Sequence, residues 1–326
     1  MKATWYEKLG PASQVLQFGD LPTPVPGQGE VRVKLSTSGV IPSDVKSRAA
    51  RPLIAPRIIP HSDGAGVIDA VGPGVSPKRI GERVWIWNGQ WKRASGTAAQ
   101  WIALPEEQAV PLPDNVDFEA AACLGIPALT ALRALTTDGP IIGKSVLVAG
   151  AAGAVGAYAV QFARLLGASQ IIATVSTREK ADYVAGLGAD HVVLYRDEDV
   201  VERIQSLTEG RGVDRIVEVD ASTNAKMLAS IIAPDGLCAI YGSSKPEVSY
   251  DFGPMIVRGA GIRFFIVYEL SAAARQETVL ALNTYLRTGV LQHRIAKTYT
   301  LDQVAQAHLD VESGKLIGNV VIRCGE

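Results

Sequence analysis

The sequence predicts an α/β fold in two modules, the second a doubly wound parallel sheet, and three observations carry that prediction. Roughly the first 110 residues are rich in Pro, Gly and short β-branched runs, the composition of a β-rich module. Over 113–135 (PDNVDFEAAACLGIPALTALRAL) the apolar period changes from two to about 3.6. Beyond it, strand-like and helix-like segments alternate, as a parallel sheet covered on both faces requires.

The elements follow in order. Residues 30–39 (EVRVKLSTSG) alternate as a strand should, as do 64–72 (GAGVIDAVG) and 81–87 (GERVWIW), with turn chemistry such as PVPGQGE and GPGVSPKR between them. Asp117 is placed to cap the first helix. Strand 145–150 then leads to helix 154–167, strand 170–175 to helix 178–186, and strand 191–194 to helix 198–208. Strand 213–219, a helix near 224–233 and strand 237–241 follow. A further strand is expected at 263–268 (RFFIVY), a helix near 271–288 and a late strand at 319–323 (NVVIR).

Composition bounds the function. With 326 residues, 47% hydrophobic and 20% charged, the chain is long enough for two domains, and a formal net charge of −1 argues against an electrostatic nucleic-acid binder. Cys123, Cys238 and Cys324 form no CxxC pair, which reads as reduced thiols. The opening MKATWYEKLG lacks the apolar stretch of a signal peptide, so a cytoplasmic protein is expected. Ser145 to Ala163 carries no charge over nearly the length of a membrane span. Glycines recur within it and Lys144 and Arg164 close its ends, so strand, turn and helix explain it better.

That turn, AAGAVG at 151–156, stands where a dinucleotide fold carries G-x-G-x-x-G. Gly153 and Gly156 fill the second and third glycine positions, and Ala151 replaces the first. The second glycine admits a pyrophosphate against the backbone, the third admits close helix–strand packing, and the helix N-terminus faces the phosphates. An NAD fold carries an acid at the end of the next strand; here Val175 stands there, followed by Ser176, Thr177, Arg178 and Lys180. Hydroxyls and cations without a carboxylate suit a 2′-phosphate, which points to NADPH rather than NADH.

Two further stretches, GVIPSDVKSR (39–48) and IPHSDGAGVIDAVGPGVSPKRIGERVW (59–85), complete a pattern with GIPALTALRAL and the glycine turn. Together they resemble the medium-chain dehydrogenase/reductase superfamily, and within it the zinc-free quinone oxidoreductases of the zeta-crystallin type. The resemblance implies a GroES-like β-rich catalytic domain (1–120, completed by 270–326) and a Rossmann domain (121–269), with the active site in the cleft. It also implies a homodimer paired through Rossmann sheet edges, for which RFFIVY would suit. Zinc-dependent relatives have Cys where this chain has Ile41, and His-Glu where it has Ser62 and Asp63, so no metal is expected. His61, one position off, reads as a loop residue rather than a ligand.

By the same resemblance, Thr130 lies on the nicotinamide side, and Ala152, Gly153, Ala154, Val155 and Gly156 wrap the pyrophosphate. Ser176, Arg178, Lys180 and Tyr195 surround the 2′-phosphate. Ser222, Tyr241, Gly242, Ser243, Ser244, Val267 and Tyr268 complete the cofactor wall, with Asn319 near the tail. The family often has Asn where this chain has Ile41 and Tyr where it has Lys46. Lys46 is thus either an electrostatic aid or proton source, or a surface lysine. Trp85, Trp87 and Trp91 either line an aromatic acceptor pocket or fill the β-rich core. Without a Lewis acid, hydride acceptors that delocalise charge are favoured: a quinone first, an alkenal or enone second. A third reading is an NADPH-binding protein with a structural, regulatory or RNA-associated role.

Overall fold

The computed structural model describes residues 1–325. They divide into two compact units, Met1–Ile126 together with the chain from Asn283 on, and Pro127–Leu282.

The first unit opens with β1 (Lys2–Trp5), α1 (Ala12–Val15) and β2 (Gln17–Asp20). Then come β3 (Glu30–Val40), α2 (Pro42–Ala50), β4 (Asp63–Val71), β5 (Arg83–Ile86), β6 (Trp101–Pro105), β7 (Ala109–Pro111) and α3 (Phe118–Ala121). The three strands expected here coincide with β3, β4 and β5. Alternation drives β3: Val31, Val33 and Leu35 are buried while Lys34 faces out. They join Ile68, Val84, Ile86, Ile102 and Leu104 in one core. In 113–135 the Asp117 carboxylate caps α3, accepting from the Ala120 N–H at 2.7 Å. The helical run does not continue unbroken, because a wider π-type turn occupies Leu124–Ala128. A Cβ on Gly125 would come within 2.4 Å of the Ile86 carbonyl oxygen, and Pro127 has no N–H to continue the ladder.

The second unit runs α4 (Leu129–Thr136), β8 (Ser145–Val148), α5 (Ala154–Leu165), β9 (Gln170–Val175), α6 (Arg178–Gly186) and β10 (His191–Leu194). It continues with α7 (Val200–Leu207), β11 (Val213–Glu218), α8 (Ala221–Ile231), β12 (Ile232–Ile240), α9 (Phe252–Val257) and β13 (Gly261–Phe264). Helix α10 (Ala272–Thr288) begins in this unit. The sheet order is β10-β9-β8-β11-β12-β13, all parallel, so the winding reverses between β8 and β11. In such a sheet a ligand site lies beyond the carboxyl ends of the strands at the reversal. Buried Arg215 on β11 donates to the carbonyls of Ala134 and Thr137 and so ties down the end of α4.

Two expectations shift. The RFFIVY strand stops at Phe264, because β13 is the sheet edge and Phe265 makes the last bond to β12; Val267–Glu269 turn inward as a short helical turn. Helix α8 starts at Ala221 rather than near 224, and β12 begins at Ile232. The uncharged run 145–163 is β8, a turn and α5, and no helix among the described residues is long and apolar enough to cross a membrane.

The chain then returns to the first sheet with β14 (Ile295–Thr300), α11 (Val304–Glu312) and β15 (Asn319–Arg323), which pairs antiparallel with β3.

Candidate cofactor and acceptor sites

The glycine turn joins β8 to α5 at the reversal. Gly150 takes φ +63°, and its N–H donates to Thr174 Oγ1 at 3.2 Å. The tight-turn glycine is therefore Gly150, one residue before the position assigned to Ala151, which packs fully buried. Gly153 is the N-cap of α5 and no side chain caps that helix, so the first-turn N–H groups of Ala154, Val155 and Gly156 remain available to an anion. The two motif glycines differ. A Cβ on Gly156 would meet Ala151 Cα and the Gly150 carbonyl oxygen at 2.6 Å, whereas one on Gly153 would meet only that oxygen, at 3.3 Å. Gly156 is required by packing, and Gly153 keeps a cradle open that protein does not fill.

At the neighbouring strand end, β9 stops at Val175 and the Thr177 hydroxyl caps α6 by accepting from the Lys180 N–H at 3.4 Å. Leu194 of β10 pairs with Val175, and the Tyr195 N–H donates to the Val175 carbonyl at 3.1 Å. Ser176, Arg178, Lys180 and half-exposed Tyr195 are thus gathered at the carboxyl ends of two adjacent strands. Between the end of β9 at Val175 and Glu179 in α6 the chain carries no carboxylate.

The third wall holds two acids that sequence reasoning missed. Glu218, buried at the end of β11, accepts from the Asp220 N–H at 2.5 Å and, through its two carboxylate oxygens, from Asn224 Nδ2 at 2.9 and 3.0 Å. Burial raises its carboxyl above the usual range. Asp220 accepts from the Ser222 and Thr223 hydroxyls and the Ser244 N–H, each at 2.8 Å. Partial burial alone would raise Asp220, but these hydrogen bonds prevail and hold it at about 2. Ser222 and Ser244 lie 2.8 Å apart through their hydroxyls, as two expected wall residues brought together by an unexpected acid. Gly242 accepts from the Ala221 N–H through its carbonyl, and a Cβ there would strike the Val219 carbonyl oxygen. Tyr241 lies beside Phe265, and Ser243 donates to the Lys245 carbonyl. Thr130 on α4, Val267 and Tyr268 are buried in this same unit.

In the first unit, Ile41 precedes α2, and its N–H donates to the Asp44 carboxylate at 3.0 Å. Lys46 is exposed on α2 and has no ion pair or hydrogen bond to a described residue. Asp63 accepts from the Ile126 N–H, and Asn319 Oδ1 is buried without a protein partner. His61 is not an ordinary loop residue. It is fully buried at φ +77°, with Nδ1 2.9 Å from Ser38 Oγ and Nε2 2.9 Å from His308 Nε2. Trp85 is core, its indole donating to Asn283; Trp87 donates to the Glu107 carbonyl; Trp91 borders a cavity.

Residues 27–114 match the alcohol dehydrogenase GroES-like domain, and residues 154–283 the zinc-binding dehydrogenase family. Human quinone oxidoreductase is 30% identical across 94% of this chain and 95% of its own length. The chain is a medium-chain dehydrogenase/reductase. A 2-haloacrylate reductase from Burkholderia sp is also 30% identical to this reductase, across 99% of this chain and 98% of that protein. The solved structure of Escherichia coli quinone oxidoreductase complexed with NADPH superposes on it with a TM-score of 0.86 at 26% identity, covering 99% of this chain and all of that one. Zinc, which the family description implies, does not fit these residues. Ile41 offers no donor, the His61 ring is engaged by Ser38 and His308, and the described residues hold no cluster of three metal-ligating side chains. A dinucleotide does fit, at the uncapped N-terminus of α5 and the cradle over Gly153.

Proposed function

We propose that this oxidoreductase is NADPH-dependent and zinc-independent, and that it passes hydride to a quinone. The observation that carries the reading is the adjoining ends of β9 and β10, where Val175 stands in place of an acid and Ser176, Lys180 and Tyr195 follow close in the chain. The uncapped first turn of α5 holds the pyrophosphate, and Lys180 with Ser176 and Tyr195 holds the 2′-phosphate. The bound nicotinamide supplies the hydride. Asp220 keeps the Ser222 and Ser244 hydroxyls in one orientation along the cofactor wall. Thr130, Val267 and Tyr268 exclude water, and Asn319 offers its unpartnered Oδ1 to a donor. Lys46, exposed on α2, gives the reduced acceptor its proton. Quinone oxidoreductase relatives support the quinone; the 2-haloacrylate reductase supports a second reading, reduction of an activated double bond. NADPH consumption against quinones, enals and aldehydes tests both. Quinone turnover is expected, enal turnover alone transfers the assignment to the second reading, and tight NADPH binding with no turnover defeats both.

Gly153→Val places a side chain where the pyrophosphate approaches, in space the protein leaves open. NADPH binding should weaken at least about tenfold with thermal stability little changed. A folded variant that binds NADPH as tightly as the parent removes the cradle from the argument. Because Ile41 and Ser62 replace metal ligands, prolonged chelation should leave turnover intact, and elemental analysis should find less than stoichiometric zinc. A tightly held zinc whose loss abolishes turnover reverses the assignment.

The reading includes a homodimer formed at the β13 edge, where Phe264 is 61% exposed. Sedimentation should give twice the 34.5 kDa chain mass, falling to one chain for Phe264→Glu. A monomeric parent excludes the dimer.

A further inference from the structure

At the C-terminal end of α2 the first unit carries a cavity of about 250 Å³, bordered by Tyr6, Arg51, Leu53, Ile54, Trp91 and Lys92 among others. Its charge is one-sided: Arg51 and Lys92 border it and no carboxylate does. Arg51 makes no ion pair with a described residue. Its guanidinium instead lies 4.4 Å from the centroid of the Trp91 ring, with Lys92 Nζ 5.9 Å from the same centroid. That stacking holds the guanidinium by its face and leaves its N–H edge for a ligand.

The second observation is Tyr6. Only 3% of the residue is exposed, and its hydroxyl, which makes no hydrogen bond to a described residue, keeps contact with solvent where the residue borders the cavity. A solvated hydroxyl at the edge of a cavity exchanges its water for a ligand oxygen at little cost, so it is a donor that a ligand there can use. Burial first, and then the Asp44 carboxylate, push this phenol up to about 12, so it remains a donor at neutral pH. The third observation is size. The volume is below the roughly 300–1,000 Å³ of sites for drug-sized ligands, and Leu53, Ile54 and the indole offer flat apolar walls.

We propose that this cavity is an acceptor subsite selecting small, planar, conjugated acceptors that carry a carboxylate. Arg51 takes the carboxylate edge-on, Tyr6 donates to one of its oxygens, and Trp91 covers the conjugated plane. The role as acceptor subsite rests on the function proposed above; the recognition of a carboxylate rests on the cavity alone. Two assays keep these apart. In titration calorimetry, benzoate should bind at least about tenfold more tightly than benzamide. Arg51→Gln should weaken benzoate about ten- to hundredfold, the worth of a charge-assisted hydrogen bond. It should leave benzamide within about twofold, and Arg51→Lys should recover part of the loss. Arg51 is exposed at the end of α2, so these variants should fold, and unchanged NADPH binding checks that they do. In turnover, Arg51→Gln should raise KM for 2-chloroacrylate with little change in kcat and leave 2-chloroacrylamide unaffected. Benzoate binding no better than benzamide, or an equal loss of both in Arg51→Gln, overturns the inference. Arg51-dependent benzoate binding with no turnover of any acceptor supports the carboxylate site and defeats the enzymatic reading instead.

Discussion

Lys180→Ala should lower kcat/KM for NADPH about ten- to hundredfold and leave NADH nearly unchanged. The lysine sits in the first turn of α6, beside the end of β9, with Tyr195 entering from the adjoining strand. A 2′-phosphate there would gain a charge-assisted hydrogen bond from the ammonium, and NADH has no group in that place to lose one. Adding Val175→Asp should then reverse the preference, by repelling the phosphate and accepting from the ribose hydroxyls. The structure attaches a cost to that second change. Val175 is only 2% exposed, so a carboxylate there is poorly solvated until a ribose supplies donors. The double variant should therefore melt below the single one without cofactor and recover with NADH more than with NADPH. A parent enzyme that already prefers NADH, or a Lys180→Ala variant weakened equally toward both cofactors, defeats this reading of the strand end.

What could be read from sequence follows from how local the determinants are. The β3 alternation and the apolar strands β8 and β9 record burial residue by residue, so their positions were legible. Val175 was legible for a related reason, since its distance from the glycine turn is fixed by one helix and one strand. Gly150 was hidden because a motif alignment looks for the first glycine at 151, and only φ reveals which residue turns left-handed. Glu218 and Asp220 were missed because acids at a strand end read as solvated. Their roles depend on Asn224 and Ser244, which the fold brings to them. His61 and His308, 247 residues apart, meet through tertiary structure alone. A faint signal existed in His308, which shares the buried face of α11 with Val304 and Ala307.

That histidine pair makes the first unit acid-sensitive in a way that a second buried group partly conceals. Burial pushes His61 down to about 3; burial, then His61 and Arg48, push His308 well below its ordinary value. A histidine depressed in the folded state contributes stability that is full above the unfolded value near 6.5 and is lost as pH falls below it. Asp44 acts in the opposite sense. Burial first, opposed by hydrogen bonds from the Ile41 and Ser62 backbone, raises it to about 7. Its contribution is full below the unfolded value near 3.8 and is lost as pH rises toward 7. Between about pH 4.5 and 6 each such proton is worth about 1.4 kcal/mol per pH unit, so Asp44 offsets one histidine. Asp44→Asn keeps an oxygen for the Ile41 N–H and removes the offset. Going from pH 6 to pH 4.5, this variant should lose about 2 kcal/mol more stability than the parent. His308→Gln should lose less than the parent over the same interval. All five tryptophans lie in the first unit, so their fluorescence in a denaturant titration reports this unit alone. If the parent and Asp44→Asn lose stability in parallel across that interval, Asp44 is not the buried, neutral-leaning acid described here, and the pair of histidines acts without a counterweight.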